Sequence, residues 1–243
     1  MTSEISLPQD FQTNFLMFLR WIHFFGGIIF LGLGYFFNFV GLSFVKNTDA
    51  ATRAKVLPGL MLPALHWLRW ASVLTVLAGL AYWGHIVASD ARNAGEAPTT
   101  ALVSFVVIWT LTWGVMYALL IPGKGLLNNG WVLAILYVII VAHSSHLFLH
   151  LNTHGWESNR LLAIGVGGGI GLMMMFNVWG IIWRIQKRLI AWTKASAENG
   201  TPMPEQAVRM ARMAFLASRA NFYLSFPLLF LMGAASHYPM FGG

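Results

Sequence analysis

The 243-residue chain contains no cysteine. That absence excludes disulfides, thiolate metal sites, iron–sulfur clusters and the C-x-x-C-H attachment of a c-type haem within these residues. Charge is scarce as well: Asp, Glu, Lys and Arg make up 9% of the chain, with 8 acidic residues against 15 basic ones. Histidine, methionine and the few carboxylates remain as possible ligands. Basic residues are also lacking at the start of the sequence. The first fourteen residues hold Glu4 and Asp10 and no Lys or Arg, which is not the pattern of a cleaved signal peptide.

Apolar residues are abundant: 57% of the chain is hydrophobic, with 11 Trp and 18 Phe. Soluble domains of this length rarely have such a composition, so the chain reads as an integral membrane protein. The high pI of about 10.1 would suggest nucleic acid in a soluble protein. Here the basic residues cluster in particular loops, so the charge is topological and no nucleic-acid partner is expected.

Six apolar segments, at 15–42, 64–88, 101–122, 130–151, 160–184 and 213–236, are each long enough to cross a bilayer at about 20 residues per helical span. The expected fold is an all-α, polytopic bundle of six transmembrane helices, forming one membrane domain over 1–243. Polar or turn-rich stretches at 46–55, 89–100, 122–125, 152–159 and 194–206 separate the segments.

If the segments alternate, Lys46, Arg53, Lys55, Lys124, Arg184, Lys187, Arg188, Lys194, Arg209 and Arg212 lie on one side and only Arg92 and Arg160 on the other. The positive-inside rule then puts both termini outside. In a bacterial inner membrane, that side is the periplasm. Arg20, Arg69 and Arg219 lie near helix ends, where they can snorkel to the headgroups, and do not enter this comparison.

The segment 130–154, GWVLAILYVIIVAHSSHLFLHLNTH, carries His143, His146, His150 and His154. At about 100° per residue these four fall within about a 90° arc of one helix face. An ionisable stripe in hydrocarbon is costly and usually serves a ligand or pathway, so it is expected to face the bundle interior. His23 and His143 each lie about 12 Å inward from the outer end of their helices, at 1.5 Å per residue. His85, His146, His150 and His237 belong nearer the outer surface, and His66 alone belongs on the cytoplasmic side. His66 and His154 are expected to be structural or solvated.

In helix 1, RWIHFFGG sets Arg20 three residues before His23 and Gly26 and Gly27 just after it. These share roughly one face and leave room for a flat ring. Helix 5 carries GVGGGIG at 165–171, with Gly167-x-x-x-Gly171 suited to close helix approach. It follows no strand, so it is not expected to bind phosphate.

RWIHFFGGIIFLGLGYFFNFV at 20–40, FNVWGIIWRIQKRLI at 176–190 and SRANFYLSFPLLFLMGAASHYP at 218–239 together resemble the N-terminal membrane domain of bacterial PuuD-type urate oxidases (urate hydroxylases). Matched positions are His23, Asn177, Trp179, Gln186, Lys187, Asn221, Pro227, Met232, His237 and Pro239. The resemblance implies an oxidoreductase component that works with a c-type cytochrome, although these residues contain no cytochrome motif. Where members of that family carry one histidine opening helix 5 and another just before the matched asparagine, this chain has Gly165 and Ala220.

Three functional readings follow. In the first, His23 and His143 ligate a b-type haem from two helices, with Arg20 available to a propionate and Gly27 beside the ring, and electrons pass to an outside c-type cytochrome. In the second, His85, His146, His150 and His237 form a copper, zinc or non-haem iron site. The third is a non-catalytic accessory subunit of a respiratory or photosynthetic membrane complex. Its tryptophans would be interface anchors and its 12 methionines, Met173, Met174 and Met175 among them, core filler. A transporter is disfavoured because no inverted repeat is evident and the spans lack carboxylates.

Overall fold

The computed structural model describes residues 7–123 and 125–241. Lys124, part of the charge comparison, lies outside the described residues, as does Glu4. Six helices are long and apolar enough to cross a membrane: α1 Phe11–Asn47, α2 Ala50–Ala94, α3 Thr99–Leu120, α4 Gly130–His150, α5 Asn159–Asn199 and α6 Gln206–His237. No strand occurs among the described residues. The all-α, six-span expectation therefore holds.

The helices run longer than the apolar segments. The expected loop at 46–55 shrinks to a turn before Ala50, where Asp49 caps α2 by accepting a hydrogen bond from the Thr52 backbone N–H at 3.0 Å. Likewise α5 continues past Arg184 to Asn199, and Gly200, at φ 66°, ends it in the left-handed conformation. Hydropathy marks where a helix enters hydrocarbon; capping residues mark where it stops.

Helix α5 is the centre of the bundle. In its most apolar stretch 72% of residues are buried, against 39% or less in the other five helices. Its glycines are the reason. A β-carbon at Gly169 would run into the Trp109 ring and one at Gly165 into Phe148, while one at Gly167 would lie 3.1 Å from Cβ of Leu231 on α6. Bare backbone thus seats aromatic rings from α3 and α4 and lets α6 approach closely. Asn177 and Asn221 lock the same contact: Asn177 Nδ2 donates to Asn221 Oδ1 at 2.8 Å, and Trp113 Nε1 donates to Asn177 Oδ1 at 3.0 Å.

One end of the bundle gathers the described ends of the chain. Gln12 near the start of α1 hydrogen-bonds the His85 ring in the last third of α2, and Asn159 at the start of α5 accepts from the backbone N–H groups of Met240 and Phe241. Arg212 at the other end donates to the carbonyls of Leu127 and Asn128 in the α3–α4 connection. We refer to these as the histidine end and the basic end.

Candidate functional site

Between α1, α2, α5 and α6 lies a cavity of about 710 Å³. Arg20, Tyr82, Arg160, Ser236 and His237 surround its mouth at the histidine end, and Phe30, Leu31 and Tyr35 form its floor near mid-bundle. Its walls are apolar and partly glycine, with Gly27, Gly79, Gly168 and Gly233 on the lining. A polar, cationic mouth over an apolar bed suits a flat molecule that carries anionic groups on one edge.

His23 is the polar residue set into the wall. Its Nδ1 lies 2.8 Å from the Thr75 carbonyl oxygen on α2. A carbonyl can only accept, so Nδ1 carries a proton, and in the neutral ring Nε2 then presents its lone pair. Nε2 has no hydrogen-bond partner among the described residues. The ring lies against bare backbone: a β-carbon at Gly79 would stand 2.7 Å from Nδ1. Gly26 and Gly27, expected to act together, divide their roles. Gly26 is buried against Thr75, whereas Gly27 faces the cavity with Thr75 side-chain atoms no nearer than 3.9 Å from a β-carbon there.

His143 is not at this cavity. On α4 the buried face is Leu133, Tyr137, Val141, Ser144 and Phe148, and His143, His146 and His150 are exposed on the opposite side. This corrects the inward-facing histidine stripe and separates His143 from His23. The competing face has better partners: the Tyr137 hydroxyl donates to the Met116 carbonyl at 2.8 Å, Thr112 and Ser144 hydroxyls pair at 2.7 Å, and Phe148 fills the space above Gly165. Satisfied hydroxyls and a fitted ring in the interior outweigh the preference for hiding imidazole.

The four residues grouped as a metal site are also apart. Among the described residues no three His, Asp or Glu side chains gather where they could hold a metal ion. His85 is engaged with Gln12, His146 and His150 stack with ring centroids 6.3 Å apart on the exposed face, and His237 is at the cavity mouth. His154 pairs with Glu157 at 2.8 Å outside the spans, and His66 packs edge-on against Trp70 and Trp183.

The model of the urate oxidase N-terminal family matches residues 50–243. The chain belongs to that family. No curated protein and no solved structure matches it. The match begins at α2, so His23, Arg20 and Gly27 lie outside it. Within this urate oxidase N-terminal domain, Met232 and His237 of the matched stretch reach the cavity that α1 completes. Asn177, Asn221 and Trp179 are structural: the Trp179 indole donates to the Arg69 carbonyl at 3.1 Å, and the Arg69 guanidinium lies 4.1 Å from the Trp183 ring centre. Gly165, where a family histidine was expected, has no room for one because the Phe148 ring occupies the space.

Sequence reasoning missed Thr75, Gly79, Tyr82 and Arg160. Arg160 counted only as a loop charge, yet it opens α5 at the same end as Arg20, and that shared depth was the available signal. Thr75 and Gly79 stand one turn apart on α2 and become meaningful only once α2 is known to pack against His23.

Proposed function

We propose that this domain binds a b-type haem in the cavity between α1, α2, α5 and α6 and carries electrons toward a c-type cytochrome outside the membrane. The carrying observation is the Nδ1 bond from His23 to the Thr75 carbonyl. Such a bond fixes the tautomer and orients Nε2 as a ligand, the arrangement that metal-binding histidines use. The donor set fits the group. His23 would hold the iron, Arg20 and Arg160 at the mouth would receive the propionates, and the glycine-lined walls would accept the ring. In this reading His237 or Met232, the other imidazole and the thioether on the lining, would take the place of His143 as the second residue holding the iron. A bound haem would supply one-electron transfer; the chain supplies burial, orientation and an electrostatic match.

The basic residues support an outside position for the histidine end, and hence for the cavity mouth, by the positive-inside rule. A reduced-minus-oxidised visible spectrum of the purified protein tests the proposal, with a b-type α-band expected and its absence in fully folded protein contradicting it. Protease added outside spheroplasts should remove a tag from either terminus; protection of both would reverse the orientation.

The two guanidiniums at the mouth favour one second reading. Urate, in the family's description, is a flat anion that would also suit Arg20 and Arg160, and urate oxidase-like chemistry is the corresponding activity. Urate quenching of tryptophan fluorescence in haem-free protein, lost in Arg160→Ala, would favour this reading over haem.

A further inference from the structure

A second cavity, of about 180 Å³, lies in the basic half of the bundle between α1, α2, α5 and α6. Two π-helical segments border it, Phe37–Gly41 in α1 and Val178–Ile182 in α5. Such wide turns inside long helices are costly and commonly mark working sites.

Asn38, in the first π segment, is 6% exposed and lines this cavity. Its Nδ2 donates to the Gly34 carbonyl at 2.9 Å and to Ser218 Oγ at 3.2 Å, but its Oδ1 is buried without a partner. Ser218 Oγ accepts from Asn38 and keeps its own proton to give. One acceptor and one donor therefore sit side by side at the cavity wall. Water fits that pair, since it both donates and accepts, and at about 30 Å³ per molecule the cavity holds several. The remaining wall is mainly apolar, which disfavours an ion.

A second polar rung lies two helical turns along α6. The Tyr35 hydroxyl donates to Ser225 Oγ at 2.9 Å, because Ser225 gives its own proton to the Phe222 carbonyl at 2.7 Å. Tyr35 also lines the outer cavity, together with Phe30 and Leu31. The other end of the inner cavity is formed by Val45 and Gln186, the neighbours of Lys46 and Lys187 at the basic end.

We propose that the inner cavity is a water-filled vestibule open to the basic side, reaching as far as the Asn38–Ser218 pair, with Tyr35 as the barrier between it and the outer cavity. The vestibule brings water from the basic side to within one side chain, Tyr35, of the outer cavity. Nothing in this assignment depends on haem.

The cysteine-free chain allows a direct test. Single variants are reacted in membrane vesicles with a charged, membrane-impermeant methanethiosulfonate, and Thr201→Cys in the exposed α5–α6 connection marks the basic side. A thiol reacts as thiolate, which forms where water reaches it. Ser218→Cys should react from the Thr201 side at least about tenfold faster than the fully buried Ala217→Cys, and not from the other side. Asn38→Cys, at the same depth, serves in its place if Ser218→Cys fails to assemble. Reaction only after denaturation, or only from the histidine end, would overturn the vestibule. Adding Tyr35→Ala should admit reagent from the histidine end as well; continued protection from that end would overturn the barrier.

Discussion

His23 and Thr75 tie α1 to α2 by reciprocal hydrogen bonds, Nδ1–H to the Thr75 carbonyl at 2.8 Å and Thr75 Oγ1 to the His23 carbonyl at 3.5 Å. The pair positions an imidazole with one nitrogen committed and the other facing the cavity without a partner among the described residues. It also makes the glycines around it inequivalent.

Gly27→Leu and Gly26→Leu should therefore behave differently. At Gly27 the added side chain meets open cavity, so the bundle should assemble while the haem proposed for that cavity is excluded. At Gly26 a β-carbon would lie 2.5 Å from Thr75 Oγ1 and 3.0 Å from its backbone nitrogen, forcing α1 away from α2. Overpacking of that kind costs about 1–3 kcal/mol. Size-exclusion elution and thermal stability separate the two, and equal damage from both would mean that Gly27 packs against a helix.

Asn221→Leu should loosen the junction of α5 and α6. The change removes the Asn177–Asn221 bond and the bond from Asn221 Nδ2 to the Met174 carbonyl, 3.0 Å long. Interhelical bonds in membranes average about 0.6 kcal/mol each, and the stranded Asn177 amide adds to that, so about 1–2 kcal/mol is expected. Equilibrium unfolding in SDS measures it; an unchanged midpoint would show that the pair is replaceable by packing.

The 151–158 connection should loosen in acid. Burial pushes the Glu157 carboxyl up, but hydrogen bonds from the His154 ring and backbone N–H, together with the His154 charge, hold it below the usual carboxylate range. A lowered folded value means that the contribution to stability is present above the ordinary carboxylate value and is lost as pH falls through the folded one. Protection factors of the amides in this connection, which discount the slower intrinsic exchange in acid, should be high at neutral pH and lower below the ordinary carboxylate range. Glu157→Gln should give low protection at both.

Much of the bundle was legible in the sequence because a membrane makes strong demands. Long apolar runs gave six spans, and Gly167-x-x-x-Gly171 gave the close approach of α6. His23, Arg20 and Gly27 were legible as a group because three- and four-residue spacing is a property of one helix. His143 was misplaced because spacing defines a face without saying what lies opposite. The direction of α4 is decided by Met116, Thr112 and Gly165, on two other helices, and no periodicity within 130–154 contains them.

The assignment of His23, in place of a His23–His143 pair, is the central claim, and the visible spectra of two purified variants test it most directly. His143→Ala should keep the full b-type α-band because its side chain is exposed on the far face of α4. His23→Ala should lose the band while remaining an assembled six-helix protein. A spectrum that survives His23→Ala, or one that disappears in His143→Ala, would contradict the account.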